Sequence, residues 1–238
     1  MIVIVMTYFN RPQQLIQTLE SFRKYNPNDF RVIVVDDKSN EKIMLLKYGF
    51  DIDIIRVHDK TWVQGDPAYN MGFKCALKYN PEIIIVQNAE CLHYGDVLAS
   101  AKSVTDGTYI SFGCYSQRED GGISFNSRAA KFNGDDGWYN HSIYRPKGYH
   151  FCSAITAGNL VKMNGFDERF SFGMGCDDDY FLHQVKCLGL EVKIMDEPFV
   201  IHQWHESTPY SIEKNKKIYD ELIKKNEFRA KHLITEDL

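Results

Sequence analysis

The sequence predicts an α/β fold in which a mostly parallel, Rossmann-like sheet is flanked by helices. Three short apolar runs rich in β-branched residues, at residues 2–6, 31–35 and 83–86, are typical of strands buried on both faces. Helical patterns separate these strands, at residues 12–25 and 66–79. Strands that alternate with helices in this way indicate an open parallel sheet.

Local signals support each element of the first half. Pro12 suits the first turn of a helix, and Leu15, Leu19 and Phe22 follow it at helical spacing. A weaker strand is predicted at residues 52–57, before the second helix. Because open α/β sheets bind ligands at the carboxyl ends of their strands, this half is where a ligand is expected first.

The second half has a less regular pattern. Residues 113–150 are dense in Gly, Asp, Asn and Ser, and a connection of this length without clear elements is usually functional or mobile. Order returns at residues 154–163, followed by a predicted helix at 181–188 and a strand at 191–195. A C-terminal helix is predicted at residues 211–229.

The composition is that of an ordinary globular protein, since 44% of the 238 residues are hydrophobic and 25% are charged. A formal net charge of −4 disfavours nucleic-acid binding as the main task. The six cysteines include no C-x-x-C pair, and we expect them to be reduced thiols in or near the core. The apolar start is too short for a signal peptide, and no stretch approaches the roughly 20 apolar residues that cross a bilayer. We therefore expect a cytoplasmic protein.

Polar segments follow three predicted strands, at residues 7–11, 36–39 and 87–90. The carboxyl ends of parallel strands meet at one edge of a sheet, and ligands bind in the crevice outside that edge. These three segments are therefore the first candidates for a binding site.

Two of these segments carry carboxylates. Asp36 and Asp37 suit hydrogen bonds to a base or ribose, or a cation, although a turn explains the same residues equally well. Glu90, with Asn88 two residues earlier on the same side, suits a divalent cation because such ions prefer oxygen ligands. An ordinary polar strand end is the alternative there.

The strongest local signal is the carboxylate run Asp177, Asp178 and Asp179, between a glycine pair and a predicted helix. Capping and the helix dipole explain one carboxylate but not three. A carboxylate at a helix start is also well placed to act as a general base. Further along, His202 and His205 follow an apolar run, where a structural role and a metal-ligand role both remain open.

In this order, the segments resemble the family 2 glycosyltransferases and their relatives with the GT-A fold. Residues 5–11 are similar to the first strand and donor loop of that family, and residues 34–39 to its V-D-D-x-S element. Residues 64–72 resemble its G-x-x-x-A-R-N-x-G helix, with Tyr69 where arginine is common.

Three later segments extend the resemblance. Residues 87–90 fall where the family carries its metal-binding D-x-D, residues 164–168 are similar to the G-G-F-D-E turn, and residues 175–181 resemble the acidic segment with the catalytic base. Asn88 replaces the first carboxylate of the D-x-D, so the metal prediction rests on Glu90.

The resemblance covers residues 2 to about 205 and implies an inverting glycosyltransferase of glycan biosynthesis. Such an enzyme moves a sugar from a nucleotide diphosphate donor, here expected to be a UDP-sugar, to an acceptor hydroxyl on a glycan or another molecule. The implied cofactor is a divalent metal, Mn²⁺ in the first place and Mg²⁺ as the alternative. Residues 1–100 would form the donor-binding half, residues 101–206 the acceptor-binding and catalytic half, and residues 207–238 a helical tail.

The resemblance also assigns roles to the candidate residues. Asp178, or its neighbour Asp177, would be the catalytic base. Glu90, His205 and His202 would bind the metal.

The donor and the acceptor would contact separate sets of residues. The predicted donor-binding residues are Thr7, Tyr8, Asn10, Arg11, Asp36, Asp37, Gln64, Asn70 and Asn88. Trp138 and Tyr139 are predicted to form an aromatic platform for the acceptor, with packing inside the loop as an equal alternative.

Three other interpretations of the sequence are less well supported. A nucleotidyltransferase usually needs a glycine-rich, basic loop after the first strand, and residues 8–11 are neither. A non-catalytic nucleotide-sugar sensor would not need the acidic triplet. Weak peripheral membrane contact through residues 211–238 is a further option, but seven basic against six acidic residues favour a solvated amphipathic helix.

Overall fold

A computed structural model describes residues 1–43, 47–124, 128–131, 136–206 and 210–238. Residues 125–127 and 132–135 of the long connection, and residues 207–209 of the predicted tail, lie outside the described residues.

The elements alternate along the chain as in other α/β proteins. The strands are β1 (Ile2–Tyr8), β2 (Phe30–Asp36), β3 (Ile52–Arg56), β4 (Ile83–Asn88), β5 (Cys91–Tyr94), β6 (Thr108–Ser116), β7 (Trp138–Asn140), β8 (Cys152–Thr156) and β9 (Glu191–His202). The helices are α1 (Pro12–Ser21), α2 (Asp66–Leu77), α3 (Val97–Ala101), α4 (Ala157–Met163), α5 (Asp177–Cys187) and α6 (Glu213–Lys224), with a 3₁₀ helix at Glu168–Phe170.

Within the described residues the strands form one sheet in the order β3-β2-β1-β4-β8-β6-β9-β5, with β7 paired to β6. The pairs β1–β2, β1–β4, β2–β3 and β6–β9 are parallel. β5, β7 and β8 run antiparallel to their neighbours, so most strands share one direction. The predicted α/β class with a mostly parallel, helix-flanked sheet is confirmed.

The apolar runs form the central strands because both faces of the sheet are covered. One face packs in a cluster that includes Ile4 and Met6, and the other in a cluster that includes Val5 and Val35. Helix α2 lies directly on the second face at Gly72, where an added Cβ would come within 2.5 Å of a Val5 methyl carbon. A side chain at this position would therefore push the helix away from the sheet.

Several predicted boundaries were wrong. The predicted strand at residues 191–195 continues to His202 in β9, and the predicted helix at 181–188 begins at Asp177, so the acidic triplet forms its first turn. Residues 113–116 belong to the buried strand β6 and not to a loop, and β7 also lies inside the predicted connection. Pairing with distant strands fixes these elements, and periodicity within a short window does not record such pairing.

The C-terminal helix is present but shorter than predicted. In α6, Leu222 is buried against Phe170 and Tyr180, and Ile218, Tyr219 and Ile223 pack partly buried against the same cluster. No helix in the described part of the chain is long and apolar enough to cross a bilayer. The six cysteines are free thiols, as predicted, but Cys187 is exposed and not near the core.

Candidate active site

A cleft of about 370 Å³ opens at the carboxyl ends of β1 and β4, where the sequence places its polar segments. The predicted site residues that line this cleft are Thr7, Tyr8, Arg11, Asp37, Gln64, Asn88, Glu90, Asp177 and Asp178. Strand β9 runs parallel to β6 and brings His202 to the same edge.

Glu90 lines the cleft and belongs to a cluster of one carboxylate and two imidazoles. Glu90 Oε1 lies 3.5 Å from His202 Nε2 and 3.6 Å from His205 Nε2, and it accepts a hydrogen bond of 2.8 Å from Arg11 Nη1. Burial alone would raise the pKa of Glu90, but His202, His205 and Arg11 hold it well below its usual range. Glu90 is therefore an anion at every physiological pH.

This donor set fits a divalent metal ion. The ligand atoms of Glu90, His202 and His205 all lie within 4.8 Å of one another. Imidazole nitrogen suits transition-metal ions, whereas Mg²⁺ prefers oxygen ligands. The mixed oxygen and nitrogen donors of the cluster therefore suit a divalent transition-metal ion.

Asn88 occupies the position of a carboxylate in the D-x-D pattern, and it accepts a hydrogen bond from the neutral side chain of Tyr69. Tyr69 donates its hydroxyl proton between Asn88 Oδ1, at 3.1 Å, and the carbonyl oxygen of Gln87, at 3.0 Å. Burial raises the pKa of Tyr69 far above its ordinary value, so this phenol stays protonated. A neutral amide beside a neutral phenol leaves Glu90 as the anionic ligand of this strand end.

The cleft is also lined by Asp177 and Asp178, in the acidic first turn of α5. Asp178 Oδ1 lies 2.8 Å from Nδ1 of His150, and Asp179 Oδ1 accepts a hydrogen bond of 2.6 Å from the hydroxyl of Tyr149. Burial and the neighbouring Asp178 charge raise the pKa of Asp177 to about 7. A carboxylate with a pKa near the working pH is suited to accept a proton.

A further carboxylate lies beneath this turn. Asp66 of α2 is 1% exposed, and Ser171 Oγ lies 3.4 Å from its Oδ2. Burial, followed by the charges of Asp177 and Asp167, raises the pKa of Asp66 well above its ordinary value. Burial and the neighbouring carboxylates therefore disfavour the anionic form of Asp66.

The two adjacent aspartates after β2 have different environments. Asp36 is buried and accepts hydrogen bonds from Arg56 Nη1, at 2.6 Å, and from the backbone nitrogen of Ser39, at 2.9 Å, so it fixes the loop. Asp37 faces the cleft, where Lys60 Nζ lies at 2.6 Å and Trp62 Nε1 at 2.9 Å.

Two other predicted donor residues do not line the cleft. Asn10 Oδ1 accepts a hydrogen bond of 2.8 Å from the backbone nitrogen of Asn40, and Asn10 borders a neighbouring cavity. Asn70 is buried beneath the cleft, where its amide exchanges two hydrogen bonds of 2.9 Å with the backbone of Phe166. Both residues brace the loops around the cleft, and a direct donor contact finds no support in their positions.

Gln64 joins the two sides of the cleft. Its Oε1 accepts a hydrogen bond of 2.6 Å from the backbone nitrogen of Gly175, just before α5. Its Nε2 is buried and has no hydrogen-bond partner among the described residues.

The two residues of the predicted aromatic platform, Trp138 and Tyr139, have different environments in the structure. Trp138 is 7% exposed and packs edge-on against Tyr115 and Phe199, away from the cleft. The ring of Tyr139 is half-buried and lies 4.9 Å from that of His202. A sugar therefore finds no free Trp138 face, while Tyr139 remains close to the metal-ligand cluster.

His150 and Lys60 also line the cleft, and sequence reasoning missed both. No spacing pattern links either residue to its partner, since His150 is 28 positions before Asp178 and Lys60 is 23 positions after Asp37. The one signal that could have found them is charge. Asp37 and Asp178 each need a cationic partner, and the segments next to them in sequence contain few cationic residues.

The sequence profile of glycosyl transferase family 2 matches residues 3–164. No curated protein sequence matches the chain. Among solved structures, S. aureus TarS 1-349 in complex with UDP is 11% identical with a TM-score of 0.63, and the match covers 91% of this chain and 62% of that one. The chain thus spans about three fifths of that structure.

Two further solved structures have the same fold. A mannosyltransferase from Pyrobaculum calidifontis, in complex with GDP-Man and Mn²⁺, is 13% identical with a TM-score of 0.53, and the match covers 87% of this chain and 57% of that one. A mutant of Drosophila β1,4-galactosyltransferase 7, in complex with manganese, UDP-Gal and xylobiose, is 12% identical with a TM-score of 0.57, and the match covers 90% of this chain and 78% of that one. These likenesses confirm the predicted GT-A fold. Because the family profile spans more than half of the sequence, the chain belongs to glycosyl transferase family 2.

Proposed function

We propose that this protein transfers a sugar, with inversion at the anomeric carbon, from a UDP-sugar to an acceptor hydroxyl. The observation that carries the proposal is that Glu90, which forms a cluster with His202 and His205, lines the same cleft as Asp177 and Asp178 of α5. The cluster suits a diphosphate with its metal, and the two aspartates suit a hydroxyl that must lose a proton. Residues 1–100 would supply most donor contacts and residues 101–206 the acceptor side.

The donor class is supported by what related folds bind. S. aureus TarS 1-349 has been solved with UDP and with UDP-GlcNAc, the mannosyltransferase with GDP-Man and Mn²⁺, and the galactosyltransferase mutant with UDP-Gal and manganese. In this chain, Arg11 and Lys60 supply positive charge along the cleft, which suits a diphosphate. Asp37, held by Lys60 and Trp62, is the cleft-facing acceptor that suits the nucleoside.

Glu90, His202 and His205 would hold the metal ion. When bound, a divalent ion acts as a Lewis acid that neutralises the charge developing on the leaving diphosphate. Arg11, which contacts the same Glu90 oxygen, is placed to stabilise a phosphate oxygen on the same side. Two imidazoles among the ligands favour Mn²⁺ as the natural ion.

Asp178 would take the proton of the acceptor hydroxyl. That oxygen then forms a bond to the anomeric carbon, while the bond from this carbon to the diphosphate oxygen breaks and its electron pair leaves with the nucleotide. Asp178 lines the cleft at the helix start, and the raised pKa of Asp177 makes this neighbour the second candidate for the role.

The first experiment is a thermal-shift screen of UDP, GDP, CDP and dTDP, each with and without Mn²⁺. A nucleotide at 100 times its Kd should stabilise the fold by about 2.7 kcal/mol. We expect the largest shift with UDP, increased by Mn²⁺ in the native protein and not in Glu90→Gln. A larger shift with another nucleotide would change the donor, and no shift in a folded sample would contradict the proposal.

A transfer assay then separates the candidate reactions. Incubation with UDP-sugars and an array of acceptors should release UDP with Mn²⁺ present. Release of pyrophosphate from sugar phosphates and a nucleoside triphosphate would indicate a nucleotidyltransferase instead.

A further inference from the structure

His150 is a buried histidine at the edge of the cleft. It is 5% exposed, and its ring packs edge-on against Phe166 at 4.7 Å and Tyr69 at 5.6 Å between centroids. Nδ1 lies 2.8 Å from Oδ1 of Asp178. A histidine in such an apolar environment would ordinarily be neutral, because burial disfavours the charged form.

Hydrogen bonds to β6 and β7 fix the segment that carries His150. The backbone nitrogen of Gly148 donates a hydrogen bond of 2.8 Å to Asn140, and Ser111 Oγ donates one of 2.7 Å to the carbonyl oxygen of Tyr149. Consecutive residues then contact consecutive carboxylates, Tyr149 with Asp179 and His150 with Asp178. The position of the imidazole is thus set by β6 and β7, independently of the helix that carries the acid.

The surroundings of this pair are acidic. Asp177 on α5 and Asp66 on α2 lie close by, together with the hydroxyls of Tyr69 on α2 and Tyr109 on β6. Among the described residues, the ion pairs of these aspartates are limited to that between Asp178 and His150. Burial lowers the pKa of His150, but the carboxylates of Asp178 and Asp177 outweigh burial and raise it. The imidazole is therefore the cation of this acidic cluster.

We propose that His150 is the positioning residue of the base: its imidazolium holds the Asp178 carboxylate ionised and in one orientation before the acceptor arrives. The inference rests on the proposed function, in which Asp178 receives the hydroxyl proton. That proton remains on the Asp178 carboxyl group after the transfer, and His150 neither gains nor loses one. Without the imidazolium, Asp66 and Asp177 would oppose ionisation of Asp178.

The test is the pH profile of kcat/KM in His150→Gln. Loss of the positive charge destabilises the Asp178 anion, so activity is lost at a higher pH on the acidic side. Because an adjacent cation typically lowers the pKa of an aspartate by about 1–3 units, the acidic limb should move up by about one pH unit or more. Donor KM and the Mn²⁺ dependence should stay within about twofold, since His150 contacts neither predicted site.

His141→Gln is the matched control. His141 is also buried beside a carboxylate, 3.5 Å from Asp196, but it borders a different cavity. Its profile should coincide with that of the native protein. An unshifted acidic limb in His150→Gln, or loss of UDP and Mn²⁺ binding in a folded His150→Gln sample, would overturn the proposal.

A second readout does not require transfer activity. NMR titration of the labelled histidines should give His150 a pKa above the free-histidine value in the native protein and a lower one in Asp178→Asn. If the two values coincide, the pairing is not what sets the charge of His150, whether or not His150→Gln folds. If the pairing is present but no sugar is transferred, the proposed function fails and the ion pair stands.

Discussion

Glu168→Gln should lower the free energy of unfolding by about 2–4 kcal/mol, although it removes one charge and no volume. Glu168 is fully buried in the turn after α4. Its Oε2 accepts hydrogen bonds of 2.6 Å from the backbone nitrogens of Leu233 and Ile234 and one of 3.1 Å from that of Thr235, and its Oε1 accepts one of 3.1 Å from Asn70 Nδ2. A single carboxylate thus ties the C-terminal residues and α2 to this turn.

The magnitude follows from these hydrogen bonds. Net contributions are about 1.5–3 kcal/mol for a bond to a charged group and about 0.5–1.5 kcal/mol for a neutral one, so each of three backbone donors loses roughly 1 kcal/mol. The new amide nitrogen would also face Asn70 Nδ2, which cannot turn away because Asn70 Oδ1 is held by the backbone nitrogen of Phe166. Relief from burying a charge offsets part of this loss.

Urea unfolding at pH 7 measures the effect as a lower midpoint with an unchanged m-value. Glu227→Gln is the matched control, because Glu227 lies in the same region but is partly exposed and pairs with Arg169 at 2.8 Å. Such a pair typically contributes about 0–1 kcal/mol. A loss below about 1 kcal/mol in Glu168→Gln, or an equal loss in the control, would refute the reasoning.

The pH dependence provides an independent check. Burial alone would raise the pKa of Glu168, but hydrogen bonds from Thr235, Asn70 and the backbone of Ile234 lower it below its ordinary 4.5. The carboxylate therefore stabilises the fold above about pH 4.5, and that contribution is lost as the pH falls through the folded-state pKa. The difference between native protein and Glu168→Gln should narrow below pH 4.5, and a constant difference would contradict the assignment.

Three further predictions concern the cleft. Asp178→Asn should reduce kcat by about 10²–10⁴-fold with donor binding nearly intact. Asp177→Asn should reduce kcat less and should remove any inflection near pH 7 from the pH profile of activity. Loss of donor binding in Asp178→Asn would indicate that Asp178 binds the nucleotide or the metal instead. If His202 and His205 bind the metal, Mn²⁺ should bind at least about tenfold more tightly than Mg²⁺ in titration calorimetry. Glu90→Gln should lower the affinity for both ions, and equal native affinities for Mn²⁺ and Mg²⁺ would contradict His202 and His205 as ligands. Trp138→Ala should leave acceptor KM unchanged but destabilise the fold by about 3–5 kcal/mol, as measured by urea unfolding, because the ring is buried; a raised KM in stable protein would restore the platform hypothesis.

The first half of the fold could be predicted because its signals are local. β1, β2 and β4 are mostly apolar before their polar carboxyl ends, since the sheet buries them on both faces. The carboxyl-end rule then located Asp37 and Glu90 without any further information. Both line the cleft.

The second half could not be predicted in the same way. β6 is fully buried, yet its sequence alternates aromatic, small and hydroxyl residues, so no strand pattern stands out. Its partners β8 and β9 are distant in sequence, and a bulge between Phe112 and Gly113 breaks the register with β9. His202 reaches the cleft through this pairing, which explains why its strand was predicted to end too early.

The charges around the cleft explain why the pKa of Glu90 is lowered while that of Asp177 is raised. Arg11, His202 and His205 come from distant segments and surround Glu90, so the pKa of Glu90 stays low. Asp66 and Asp177 have no ion-pair partner among the described residues, and their pKa values are raised. The ion pair of this acidic group is the one between His150 and Asp178. Carboxylates whose environments push their pKa values apart are the usual mark of separate electrostatic and acid–base roles. An acceptor hydroxyl is best deprotonated where the pKa of a carboxyl group is raised, so we expect the acceptor to bind beside α5 and the nucleotide beside β4.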